Sequence, residues 1–117
     1  MFKNRNVSSR IRHLTGLLPS LVITRARQVG KTPLLKRMFP NYSYVSLDSI
    51  PDTELADNSP DLFFEKYPPP VLIDEVQYAP SIFRHLKVRI DKKRELKGQY
   101  ILTGSQKFVL MKGVSES

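Results

Sequence analysis

The sequence predicts an α/β domain with a parallel sheet and flanking helices. Two observations carry that reading. Four short apolar runs, Leu21-Val22-Ile23, Tyr44-Val45-Ser46-Leu47, Val71-Leu72-Ile73 and Tyr100-Ile101-Leu102, have the length of buried strands. Between them lie segments whose apolar residues recur at helical spacing, the alternation expected of parallel strands joined by helices.

The elements follow in order. Ile11, Leu14 and Leu17-Leu18 keep helical spacing after Ser8-Ser9, which can cap a helix, and Pro19-Ser20 ends the pattern. Leu21 to Ile23 is the first strand. A loop and a helix carrying Leu34, Leu35 and Met38 come next, ending near Pro40. The second strand is closed by Asp48, and Ser49 to Pro60 reads as a polar, turn-rich connection. Pro60-Asp61 begins a short helix with Leu62, Phe63 and Phe64. Pro68-Pro69-Pro70 stiffens the entry to the third strand. A longer helix carries Ile82, Leu86 and Ile90 and is expected to stop around Gly98. The fourth strand follows, and Phe108 to Met111 begins another helix.

At 117 residues the chain is one domain at most, and 40% hydrophobic with 26% charged residues is a globular composition. No run of about 18 apolar residues suggests a membrane span, and no apolar segment follows the basic N-terminus to make a signal peptide. Cysteine is absent, so disulfides and thiolate zinc sites are excluded, and a cytoplasmic setting is the default expectation. The net charge of +8 suits a polyanionic or phosphorylated partner, or simply a solvated surface.

The chemistry concentrates in three places. Gly30-Lys31-Thr32 follows the first strand and precedes a helix. That arrangement, the second half of a Walker A loop, gathers backbone N–H groups and a helix N-terminus around a phosphate. Lys31 is expected to reach the β- and γ-phosphates, with the Thr32 hydroxyl on Mg²⁺. Val71-Leu72-Ile73-Asp74-Glu75 is a strand ending in two carboxylates, the Walker B pattern: Asp74 for the Mg²⁺ shell, Glu75 to orient or activate the attacking water. At the end of the fourth strand, Ser105 or Gln106 can hydrogen-bond a γ-phosphate or its water, while Ser105 serves equally well as a helix cap.

"RQVGKT", "YVSLD", "VLIDEVQYAP", "LKVRID" and "QYILTGSQKFVLMKGVSES", from about Ile11 to Ser117, together resemble the prokaryotic AAA-like P-loop ATPases that carry a C-terminal nuclease-like domain of unknown role. The resemblance implies a P-loop NTPase fold of RecA/AAA type, with an extra strand between the phosphate-loop strand and the Asp-Glu strand. It implies ATP and Mg²⁺ as cofactors, with Arg27, Gln28, Val29, Gly30, Lys31 and Thr32 around the nucleotide, Thr32 and Asp74 at the metal, and Glu75 and Ser105 as catalytic residues. Residues 1–19 form an N-terminal helix and lead-in, and residues 20–117 a nucleotide-binding core. By the same resemblance that core is incomplete, lacking a fifth strand, a lid, an arginine supplied to a neighbouring subunit of a homo-oligomer, and the C-terminal domain. Leu21 to Ile23 is then expected at a sheet edge.

The loop itself departs from the family pattern. Arg25 stands where the first glycine is expected, and Pro33 follows Thr32 directly. Arg25 resists any positive-φ geometry, and Pro33 removes an N–H and biases Thr32 away from helical dihedrals, although a first helical turn tolerates proline. Binding of ATP with weak or absent hydrolysis is the resulting expectation. The alternative is a non-catalytic basic module for nucleic acid or a protein partner, since Lys87, Arg89, Lys92, Lys93, Arg94 and Lys97 crowd one helix end. Cations also suit a helix C-terminus for purely electrostatic reasons.

Overall fold

A computed structural model of the chain describes residues 4–25 and 31–105. Helix α1 (Asn4–Thr15) leads into strand β1 (Ser20–Arg25), followed by α2 (Lys31–Met38), β2 (Ser43–Ser46), α3 (Ile50–Asn58) and α4 (Pro60–Lys66). Then come β3 (Val71–Asp74), a single 3-10 turn (Val76–Tyr78), α5 (Ile82–Lys92) and β4 (Tyr100–Ser105). The four strands are parallel in the order β1-β4-β3-β2. β4 thus inserts between β1 and β3, and β1 is an outer strand of the described sheet.

Period-two alternation sorts the strand side chains between two cores. Leu21 and Ile23 of β1, Leu72 of β3 and Ile101 of β4 pack with Ile11 of α1 and Leu35 of α2. On the opposite face Val22, Val45, Val71, Ile73, Tyr100 and Leu102 meet the buried residues of α3, α4 and α5, including Ala56, Phe63, Phe64 and Leu86. Both faces are covered, so the strands read as continuous apolar runs. The crossovers are asymmetric: α2, after β1, lies on one face, and α5, after β3, on the other. Their divergence leaves the carboxyl edge of the sheet between them for a site.

Four boundaries differ from the sequence expectation. Helix α1 begins at Asn4, so Ser8 and Ser9 lie within it, and Leu17 and Leu18 fall beyond its end as exposed residues. The supposed turn-rich connection from Ser49 contains α3, a helix with Pro51 in its first turn and Ala56 as its buried residue. It is fastened by side chains: the Tyr67 hydroxyl donates to Asp52 at 2.8 Å, and the Ser81 hydroxyl to Asp57 at 2.7 Å. Helix α5 stops at Lys92, short of Gly98, and Lys93, Arg94 and Lys97 lie past its end. β4 runs on through Thr103 and Gly104 to Ser105, because β1 continues to pair with it out to Arg25↔Ser105. The helix expected from Phe108 to Met111 lies outside the described residues.

Gly98 closes the turn before β4. Its φ is +64°, its N–H donates to the Leu18 carbonyl at 2.8 Å, and its carbonyl accepts the Tyr42 hydroxyl at 2.6 Å. A left-handed residue in such close quarters is glycine by necessity.

Candidate functional site at the carboxyl edge of the sheet

Because the strands are parallel, Arg25, Ser46, Asp74 and Ser105 all arrive at one edge. Pairing between β3 and β4 ends at Ile73↔Leu102. The next residues in register, Asp74 and Thr103, meet through their side chains: the Thr103 hydroxyl donates to Asp74 Oδ1. Both are buried, Asp74 at 5% exposure and Thr103 at 1%, a depth at which a carboxylate needs donors. The second donor comes from β2, where the Tyr44 hydroxyl reaches Asp74 Oδ2 at 3.1 Å. Burial, then the Asp74 charge beside it, pushes the Tyr44 phenol up to about 12. Lys36 of α2 lies 4.2 Å over the Tyr44 ring, which joins the helix after the loop to this network.

Glu75 turns out of the strand with φ 60° and ψ 50°, the one left-handed residue other than glycine among the described residues. A non-glycine residue in that region is worth about 1–2 kcal/mol less than in extended backbone. Hydrogen bonds help to hold it there. Its N–H donates to Thr103 Oγ1 at 3.2 Å, and its carboxylate accepts from Gln77 Nε2 at 2.7 Å. Thr103 is therefore the hinge pin of the acidic pair, touching the side chain of one member and the backbone of the other.

Asp74 and Glu75 are thus brought together, with Ser105 at the end of the neighbouring strand, on Thr103's face by alternation. Lys31 and Thr32 are the first two residues of α2, and the helix accommodates Pro33 in its first turn. The biasing of Thr32 out of the helix expected from Pro33 does not occur. Arg25 is the last residue of β1 in ladder with Ser105, so its backbone is extended and the positive-φ penalty expected of it does not arise. Arg27, Gln28, Val29, Gly30 and Gln106, and the side-chain roles expected of Lys31 and Thr32, lie outside the described residues.

Sequence reasoning passed over Thr103 and Tyr44. Each looked like a strand residue, and the signal that singles them out is register: only the alignment Ile73↔Leu102 sets Thr103 beside Asp74. Among the described residues there is no group of three or more His, Cys, Asp or Glu able to hold a metal. No helix among the described residues is long and apolar enough to cross a membrane.

The chain is similar to two uncharacterized proteins, of Mycobacterium bovis and Mycobacterium tuberculosis, each 28% identical over all of this chain and 26% of the relative. It therefore spans about a quarter of the length of these curated relatives. No solved structure matches it. A family model for an AAA domain matches residues 19–117, which takes in the whole sheet and both carboxylates, and the chain belongs to that family of nucleotide-binding, ATPase-like domains.

Proposed function

We propose that this chain binds ATP together with Mg²⁺ at the carboxyl edge of its sheet and hydrolyses it weakly on its own. The observation that carries the reading is the Asp74–Thr103–Glu75 constellation, a buried acid and a half-buried one, beside a strand that leads towards the N-terminus of α2. In this reading the loop residues Arg27 to Gly30 and Lys31 cradle the phosphates, and Thr32 and Asp74 hold the metal. Glu75 orients the attacking water, and Ser105 contacts the γ-phosphate or that water. Thr103 and Tyr44 position Asp74.

The donor set fits the cation. Mg²⁺ is a hard ion that keeps several waters and is bound through one or two carboxylates plus substrate phosphates rather than by an all-protein cage. One buried carboxylate with hydroxyl partners is such a set. Mg²⁺, when bound, would neutralise charge on the β- and γ-oxygens. Glu75 would hold and accept a proton from water at its carboxylate, with Gln77 fixing the orientation of that group. Pro33, within the first turn of α2, lacks an N–H that a phosphate would otherwise draw upon, and this supports weak turnover.

Isothermal titration with Mg·ATP tests the proposal. Binding is expected to weaken with excess chelator and to vanish in Lys31→Ala. The absence of any heat at millimolar nucleotide, with the protein shown folded by circular dichroism, would remove it.

A further inference from the structure

At the opposite end of the sheet, where the strands begin, lies a cavity of about 310 Å³. Pro19 before β1, Pro69 before β3 and the buried Tyr100 of β4 belong to its lining, and α5 and the turn after it form its wall. It is separated from the acidic pair by the rise of β4 from Tyr100 to Thr103, roughly 10 Å at about 3.3 Å per residue. Two apolar side chains of this wall face solvent, Val88 at 55% exposure and Leu96 at 40%. Cations rim it. Lys92 and Lys93 are exposed, and Arg89 lies 4.3 Å over the Phe64 ring with its guanidinium 3.2 Å from Asp61. Asp61 is the acid of the lining and is already engaged by Arg89.

We propose that this cavity is a docking site for an acidic peptide segment that inserts an apolar side chain between Val88 and Leu96 while its carboxylates meet Lys92, Lys93 and Arg89. The volume lies at the small end of ligand clefts, about 300–1,000 Å³, and suits an anchoring side chain or two. An apolar centre inside a charged rim is the anatomy of a protein recognition surface. Charge complementarity selects an acidic partner, and the +8 net charge of the chain would draw it in. A nucleic acid is the weaker fit. Phosphates gain nothing from Val88 and Leu96, and bases need exposed aromatic platforms, whereas Tyr100 is buried.

The probe is a fluorescein-labelled acidic peptide with a central Phe-Leu pair, titrated by polarisation at low and at physiological salt. Saturable binding is expected, weaker at the higher salt. The double variant Lys92→Glu/Lys93→Glu, both positions exposed and checked for folding, should lose at least about ten-fold in affinity. Val88→Lys is the decisive variant, because it adds positive charge while spoiling the apolar wall. It should weaken binding by about five-fold. Tighter binding by Val88→Lys would overturn the proposal in favour of a plain polyanion surface. So would equal binding of a peptide of the same charge with Ser-Ser in place of Phe-Leu. Displacement of the peptide by duplex DNA at lower concentration would assign the face to nucleic acid, and no saturation at low salt would leave it without a partner of this kind.

Discussion

Replacing Thr103 by valine keeps the shape of the side chain and deletes one oxygen. In the folded chain that oxygen does two jobs, donating to Asp74 Oδ1 and accepting the Glu75 N–H at 3.2 Å. A hydrogen bond to a charged group is worth roughly 1.5–3 kcal/mol, and depriving the half-buried Glu75 N–H of this acceptor costs at most roughly 1–3 kcal/mol. Part of this is returned because no hydroxyl need be desolvated at a site only 1% exposed. The net expectation for Thr103→Val is a loss of about 2–4 kcal/mol. At about 4 °C per kcal/mol for a domain near this size, Tm should fall by roughly 8–16 °C. Thr103→Ser is the control. It keeps the hydroxyl and loses one buried methyl, for about 1 kcal/mol. Urea and thermal unfolding followed by circular dichroism measure both. A valine variant as stable as the serine variant would refute the bridging role of Thr103, since packing alone favours valine.

Three further outcomes follow from the same network and from the turn that supports it. The Tyr44 phenol titrates at about 12 when folded against 10.0 as an ordinary phenol, so the folded state holds the proton more tightly. Stability tied to that proton is intact below pH 10 and is lost as pH rises toward 12. Tyr44→Phe should flatten this alkaline limb in pH-dependent unfolding. Glu75→Gly should leave stability unchanged or raise it by about 1 kcal/mol, because its φ of 60° no longer strains a side chain, while any ATP turnover disappears. A large destabilisation would show that the Gln77 contact outweighs the backbone strain. Gly98→Ala should cost about 2 kcal/mol by chemical unfolding, since φ is +64° and its Cβ would lie 2.9 Å from the Thr15 carbonyl oxygen. Wild-type stability in that variant would show that the turn yields without cost.

Much of the architecture was legible because burial on both faces leaves an unmistakable mark. Val71-Leu72-Ile73 and Leu21-Val22-Ile23 are apolar at every position, and their strands stand where those runs stand. Helix α3 was not legible, since Ile50 to Asn58 buries Ala56 with only Leu55 packed beside it, and Asp52 and Asp57 are met by residues distant in sequence. No local periodicity encodes such contacts. The outer half of β4 was hidden for a related reason: Thr103 suits a strand, but Gly104 and Ser105 carry no apolar strand signal and become strand because β1 offers them a ladder. The acidic pair was legible as a motif, whereas its keepers were not. Which hydroxyl meets Asp74 depends on the register between strands 29 residues apart, and a single sequence contains no record of register.

The early parting of β3 from β4 also has a mechanical meaning. From Tyr100 to Leu102, β4 is clamped on both sides; from Thr103 to Ser105, β1 alone keeps it in a ladder. The sheet is unzipped along one seam at its upper rim, and the Thr103 hydroxyl stitches across the opening. A seam of this kind confines motion. The phosphate-loop strand and β4 form one ribbon, joined by six residue pairs, while the acid-bearing end of β3 pairs with β2 through Ser46↔Asp74 and meets β4 at Thr103, whose oxygen serves both Asp74 and the Glu75 N–H. A shift of β4 along its own axis therefore reaches both acids through the one oxygen of Thr103.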